Sequence, residues 1–361
     1  MNAILEHPFK GWGLPETERP LVIAGPCSAE SEEQVLETAK QLKNYGVNLF
    51  RAGIWKPRTR PNSFEGVGSI GLEWLKLVQQ ETGMKVSTEV ANVKHVYEAL
   101  RMGVDIIWIG ARTSANPFAM QELADALKGV DIPVFVKNPV NPDVDLWIGA
   151  IERIQGAGIS KVGAIHRGFS TFDKTRYRNT PQWQLPIELR RRMPDIPMIC
   201  DPSHIGGRRD ILLEISQKAM DLNYDGLIIE SHINPDKAWS DAKQQITPDA
   251  LKKLLDSLIL RTVSSSDSLL SNSLEDLRHE IDKYDSNILQ IIDDRMKVVE
   301  KIGEYKKTNN ITIFQPDRWQ QILTKILEKA QKHNLSDEFI IQIFKAIHQE
   351  SINKQTKIMN E

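Results

Sequence analysis

From residue 21 the chain alternates short, β-branched apolar runs with longer stretches in which apolar positions recur every three or four residues. Eight runs read as strands: LVIAGP (21–26), NLFRAG (48–53), KVSTEV (85–90), IIWIG (106–110), PVFVKN (133–138), KVGAIHR (161–167), PMICDPSH (197–204) and GLIIESH (226–232). Helical patterns such as SEEQVLETAKQLKNYG and NVKHVYEALRMG lie between them, and TPDALKKLLDSLIL follows the eighth. Eight strand-then-helix units within residues 1–260 predict an α/β chain folded as a (β/α)8 TIM barrel. An open doubly wound sheet is the alternative, but eight equivalent units leave no obvious edge strand.

The pattern changes after Leu260. Residues 261–273, RTVSSSDSLLSNS, are rich in Ser, lack periodicity and read as a linker. Over 274–361 only helix is expected. Leu274, Leu277, Ile281, Tyr284, Ile288, Ile291, Val298, Ile302 and Tyr305 recur at three- and four-residue steps. That seam predicts one helix of about 34 residues, about 50 Å long. Two shorter helices are expected over 317–333 and 337–358, the last with Ser336 as N-cap. So long a helix cannot bury its apolar seam against two shorter partners. This small all-α domain is therefore expected to pair with a second copy as a homodimer.

Composition narrows the function classes. Hydrophobic residues make up 40% of the chain and the net charge is -2, which suits a soluble globular protein and not a basic nucleic-acid binder. The helical segment is as balanced, with 14 Lys and Arg against 15 Asp and Glu over residues 274–361. No run approaches a membrane span, and MNAILEHPFKGWGLP lacks the layout of a secretory signal. With only Cys27 and Cys200 available, a cytoplasmic chain is expected, its thiols pointing to metal or catalysis before disulfides.

In such a barrel, chemistry sits on the loops after the strands. Cys27 follows the first strand, His204 ends the seventh, Glu230 lies near the end of the eighth and Asp241 on the loop after it. Closure makes those strands neighbours, so the four side chains can converge. One thiolate, one imidazole and two carboxylates suit a divalent Mn, Fe, Co or Zn ion better than Mg. Cys200, inside the seventh strand, reads as a core thiol. Six cations also occupy strand ends or the loops beyond them: Arg51, Lys56, Arg58, Arg112, Lys137 and Arg167. They would repel one another unless an anion joined them, and guanidinium forks match phosphate and carboxylate. Phosphorylated, carboxylated small molecules are the expected ligands. GVGSIG (66–71) has the spacing of a dinucleotide-binding loop but follows the polar TRPNSFE instead of a strand, so it reads as a glycine-rich entry to the second helix.

GPCS (25–28), RAGIWKPRT (51–59), GART (110–113), VKN (136–138), HRG (166–168), DPSH (201–204) and IIESHINPDKAWSDAKQQ (228–245) together resemble the compact 3-deoxy-D-arabino-heptulosonate 7-phosphate (DAHP) synthases, essentially over residues 1–260. The related eight-carbon ketodeoxyoctonate phosphate synthases typically carry a KANRS-like segment where this chain has KPRT. The resemblance implies condensation of phosphoenolpyruvate with erythrose 4-phosphate. It implies a metal held by Cys27, His204, Glu230 and Asp241, and phosphoenolpyruvate held by Arg51, Lys56, Arg112, Lys137 and Arg167. Arg58 and Thr59 would take the erythrose phosphate, and Lys56 is the candidate proton donor to the aldehyde oxygen.

In the helical segment Arg295 fills the gap in the seam between Ile291 and Val298, where a charge is costly to bury without an anion. Lys306, eleven residues on, lies only about 20° around the helix, whereas Arg278, seventeen residues before Arg295, is about 100° away and should reach a different cavity. Ser351 and Gln355 share a face of the last helix. A plain dimerisation module with surface charges is one reading. The spacing of Arg278, Arg295, Lys306, Arg318, Ser351 and Gln355 also resembles the all-helical chorismate mutases. That resemblance implies rearrangement of chorismate to prephenate, with Arg278 of a partner chain and Arg295 on the substrate carboxylates and Lys306 and Gln355 on the ether oxygen. Gln315 stands where that family often has an acid, and Trp319 replaces the acid commonly following Arg318. An active mutase and a purely regulatory domain are the alternatives; prephenate inhibition of the synthase through the helical domain is compatible with either.

Overall fold

The structure, a computed structural model, describes residues 8–14, 19–56, 64–172, 175–262 and 268–360. The chain divides into two compact units, Met1–Val263 and Ser264–Glu361. In the first, eight parallel strands close into a barrel in chain order. They are β1 (Leu21–Gly25), β2 (Leu49–Arg51), β3 (Lys85–Val90), β4 (Ile106–Ile109), β5 (Val134–Lys137), β6 (Val162–His166), β7 (Met198–Cys200) and β8 (Gly226–Glu230). The helices around them are α1 (Glu32–Asn44), α2 (Ile70–Thr82), α3 (Val93–Arg101), α4 (Ala111–Ser114), α5 (Pro117–Leu127), α6 (Val144–Gly156), α7 (Gln184–Arg192), α8 (Pro202–Gly206), α9 (Leu212–Asp221) and α10 (Pro248–Asp256). Ser31, Asn92, Asn116, Asp143 and Thr247 accept backbone N–H groups at the starts of α1, α3, α5, α6 and α10. Such caps contribute about 1 kcal/mol each.

Strand alternation divides the apolar residues between two cores. Leu21, Ile23, Leu49, Ile106, Trp108, Phe135, Ile165, Ile199 and Ile228 point inward and fill the barrel, with Phe9 packed among them. Val86, Ile107, Val136, Ala164, Met198, Cys200 and Leu227 point outward beneath the helices. Cys200 is accordingly a buried core thiol. The GVGSIG segment does enter α2, with Gly71 so close to Ile54 that a Cβ would lie 2.5 Å from its Cγ2.

The seventh strand is shorter than its apolar run suggests. It ends at Cys200, and His204 belongs to α8 instead of the strand. Pro202 presets the first helical turn and Asp201 caps it by accepting the His204 N–H.

In the second unit α11 (Ser268–Thr308) runs for 41 residues and packs on α13 (Asp337–Asn360), as does α12 (Pro316–Lys332). It begins six residues before Leu274, within the stretch read as linker, because Leu270 extends the same three- and four-residue spacing. Ser336 lies ahead of α13 with its hydroxyl 3.4 Å from the Phe339 N–H. Met296, Val299, Ala330 and Ile340 form the buried contacts of this unit. All nine residues of the predicted apolar seam remain exposed, from 43% at Ile302 to 67% at Ile291.

His166 faces outward from β6 into a cage of Trp147, Phe169, Trp183 and Tyr224. Its Nε2 lies 2.7 Å from the Pro181 carbonyl and its Nδ1 3.0 Å from the Tyr224 hydroxyl. Burial pushes its pKa down to about 3. The unfolded chain takes up this proton below about pH 6.5 and the folded chain does not, so stability is lost as pH falls through that window. We expect His166→Gln to remove up to about 1.4 kcal/mol of stability loss per pH unit between pH 6.5 and 5. Urea unfolding of both proteins at several pH values checks this, and equal slopes would refute it.

Candidate functional site

The chemistry-bearing residues of the barrel sit at its C-terminal mouth, where inward-facing strand positions run out of apolar side chains. Glu230 pairs in register with Gly25, which carries Cys27 into the adjacent loop. Gly25 has φ +151, and a Cβ there would lie 2.1 Å from the Arg51 carbonyl oxygen. Only glycine lets β1 and β2 approach so closely where the thiol is presented.

Cys27, Glu230 and Asp241 each bring one ligand atom to within 4.8 Å of the others. Cys27 Sγ lies 3.4 Å from Asp241 Oδ2 and 2.9 Å from Lys56 Nζ. His204 lies beside this set but not inside it: Nε2 is 3.7 Å from Glu230 Oε1, while Nδ1 is 2.8 Å from Asp201 Oδ2. A carboxylate behind one ring nitrogen orients the other toward the mouth. Burial, with Glu230 adding to it, pushes the Cys27 thiol up to about 12, although Lys56 opposes the shift. Burial also raises Asp241, but Arg178, His204 and Lys56 more than offset it and hold the carboxyl well below its usual range. Glu230 is likewise lowered by His204, Arg51 and Lys56 against its burial. Burial lowers the pKa of His204, against the opposing pull of Asp201 and Glu230. Two carboxylates, an imidazole and a thiol that must lose its proton are a donor set that fits a borderline divalent cation.

The other side of the mouth is cationic. Arg51 Nη2 pairs with Glu230 at 3.2 Å, and Lys137 Nζ with Asp201 at 2.9 Å, all four side chains being buried. Both cations lie over Trp108, 5.0 and 5.8 Å from its ring. The indole is thus the floor, held by its N–H donating to Glu89 at 2.9 Å. Arg51 Nε and Nη1 are buried without a hydrogen-bond partner among the described residues. Arg167 donates to the Asn179 side chain at 2.8 Å and pairs with no carboxylate among the described residues. Burial, and to a smaller extent Arg178 and Arg112, lower its pKa to about 10. The partly unsatisfied Arg51 guanidinium and the crowded cations suit this side of the mouth to anions.

In the helical unit Arg295 Nη1 donates to Ser351 Oγ at 2.7 Å, and Gln355 lies buried one turn further, its Oε1 without a partner among the described residues. Lys306 donates to the Ile313 carbonyl at 2.6 Å and, with Tyr305 and Gln315, lines a cavity of about 370 Å³. Burial lowers the pKa of both cations. Neither meets a carboxylate among the described residues. Trp319 stacks on His348, ring centroids 4.1 Å apart. Arg278 is exposed, pairs with Glu275, and stands about 25 Å from Arg295 along α11. Arg318 is also exposed.

The structure therefore gathers Cys27, Arg51, Lys56, Lys137, His204, Glu230 and Asp241, and places Arg112 close enough to Arg167 to perturb it. Arg58 and Thr59 lie outside the described residues. Arg295, Ser351 and Gln355 form a second group, while Lys306 meets the Ile313 carbonyl and Arg278 of the same chain does not join them. Sequence reasoning missed Trp108, Asp201 and Arg178. Asp201 stood in the quoted DPSH segment, Trp108 looked like one more apolar strand residue, and Arg178 sits in a polar loop without a distinguishing pattern. Arg178 pairs with Asp241 at 2.9 Å.

A parallel barrel whose mouth sets sulfur, nitrogen and oxygen donors against fixed cations defines an enzyme of anionic small molecules. More particularly, the chain belongs to the DAHP synthetase I family, which residues 14–263 match, and residues 277–356 match chorismate mutase type II. It is a bifunctional enzyme chain with a transferase-type and an isomerase-type domain. Phospho-2-dehydro-3-deoxyheptonate aldolase of Thermotoga maritima is 36% identical over 234 residues, covering 65% of this chain and 67% of that protein. Its crystal structure superposes with a TM-score of 0.60 at 35% identity, over 66% of this chain and 67% of the other. A 2-dehydro-3-deoxyphosphooctonate aldolase of Legionella pneumophila is 28% identical, covering 67% of this chain and 91% of its own. No helix among the described residues is long and apolar enough to cross a membrane.

Proposed function

We propose that the barrel condenses phosphoenolpyruvate with erythrose 4-phosphate to DAHP and phosphate, and that the helical domain converts chorismate to prephenate. The observation that carries the first assignment is the juxtaposition of the Cys27, Glu230 and Asp241 donors with the unsatisfied Arg51 guanidinium. Cys27, His204, Glu230 and Asp241 would hold a divalent Mn, Fe, Co or Zn ion, which when bound supplies a Lewis acid for the aldehyde. Arg51, Lys137, Arg167 and Arg112 bind the carboxylate and phosphate of phosphoenolpyruvate and fix its enol carbon in attack geometry. Arg58 and Thr59 take the sugar phosphate. The enol carbon forms the new bond to the aldehyde carbon, and Lys56 delivers a proton to the aldehyde oxygen. Water adds at the carbon bearing phosphate and the C–O bond to phosphate then breaks, leaving the ketone; one water proton departs with the phosphate and the other restores the Lys56 ammonium.

For the mutase, Arg295 binds a substrate carboxylate, while Lys306 and Gln355 donate to the ether oxygen as its C–O bond breaks. Ser351 orients Arg295, and Arg318 adds positive charge to the site. The bare seam of α11 supports a homodimer in which the partner's helix covers it and supplies Arg278. A regulatory role for the same domain, with prephenate as the effector, requires different affinities in two conformations.

Chelation should abolish phosphoenolpyruvate consumption, with manganese or cobalt restoring it, and Cys27→Ser should prevent that rescue. Chorismate disappearance on the same chain should be unaffected. Arg295→Ala should lower the mutase rate by about 10²-fold or more while synthase turnover persists, and undiminished prephenate formation would mean the mutase site is misassigned. Ile281→Asp should convert a dimer to monomer in sedimentation and lower mutase activity with it; a monomeric wild type contradicts the dimer. Prephenate titration should depress the synthase rate, and a flat response would exclude that control.

A further inference from the structure

The loop over 231–247, between β8 and α10, delivers Asp241 to the mouth with its backbone at φ +50. A residue other than glycine in this left-handed region costs about 1 kcal/mol or more and persists only where surrounding contacts over-determine it. Arg209 supplies part of those contacts, donating to the Ala242 and Gln245 carbonyls, and Arg178 pairs with Asp241; the loop after β1 supplies the rest. The Ser28 and Ser240 hydroxyls share a hydrogen bond. Gln245 accepts the Cys27 N–H at 2.9 Å and donates to the Ser240 carbonyl at 2.8 Å. The charged member is Glu30, three residues beyond Cys27. Its Oε1 accepts the Trp239 N–H at 2.7 Å, and its Oε2 lies 3.4 Å from His232 Nε2. His232 Nδ1 accepts the Asn234 N–H at 2.8 Å, which leaves the ring proton on Nε2, facing the carboxylate. One carboxylate thus pins the loop at residue 232 and again at residue 239, two positions before Asp241. Glu30 and His232 are 7% and 3% exposed, and neither belongs to the set of cation donors. A buried carboxylate–imidazole pair is costly to desolvate and weak evidence for stability. Its contribution here is to geometry.

We propose that Glu30 and His232 are positioning residues for the cation centre: a buried strap that ties the β8–α10 loop to the β1–α1 loop, so that Asp241 and Cys27 address one point. This rests on the metal reading of the preceding section. The pair touches neither substrate nor ion; it acts through the placement of Asp241.

Cobalt(II) titration of the full chain, followed by the thiolate-to-cobalt absorption band and by calorimetry, tests the strap without using turnover. Glu30→Ala should weaken cobalt binding about 10–100-fold and diminish the band, as loss of a group orienting a ligand does. His232→Ala should do the same, and His232→Gln, which keeps an N–H for Glu30, should recover most of the loss. If Glu30→Ala does not fold, the His232 pair decides. Wild-type affinity and band in the alanine variants, or His232→Gln as weak as His232→Ala, overturns the strap alone. A wild-type chain without the band overturns the cation centre and the strap together.

Discussion

The closure of β8 onto β1 is the constraint from which the barrel's chemistry follows. Five consecutive residue pairs run from Leu21 opposite Gly226 to Gly25 opposite Glu230. That register brings the last inward carboxylate of one end of the barrel sequence level with the loop that carries Cys27 at the other. β2 then crowds against Gly25, and Arg51 reaches Glu230 from the far side. A shift of one residue would turn Glu230 outward beneath the helices and leave Arg51 buried without its carboxylate. Thiol, carboxylate and guanidinium thus meet because of how the sheet is closed.

Both domains present cations at their candidate sites. Each holds cations in partly desolvated surroundings, where charge on a reacting molecule is felt strongly. The barrel keeps them apart by interposing Asp201 and Glu230 and by seating Arg51 and Lys137 on Trp108. The helical unit uses hydroxyl and carbonyl partners, Ser351 and Ile313, which hold Arg295 and Lys306 without neutralising them. Buried pairs of this kind contribute little net stability, so their physical rationale lies with the ligands they receive.

The apolar rhythm made the eight strands and three tail helices legible, and strand ends made Cys27, Arg51, Lys137 and Glu230 legible as mouth residues. His204 was misplaced onto a strand because β-branched content cannot register the capping and proline geometry at Asp201 and Pro202. Trp108 escaped notice because an inward indole and an outward one look alike until the barrel is closed. Arg178 and Glu30 act from loops, where three-dimensional convergence leaves no periodic trace. For α11 the seam itself was readable, but its start was not, since Leu270 continues the spacing through serine-rich residues.

The uncovered seam of α11 has a consequence for biogenesis. The barrel precedes this helix in the chain, and domains generally fold as units, N-terminal first, during synthesis. The barrel can close before the ribosome releases the apolar stripe, so the exposed stripe follows paired strands and not open ones.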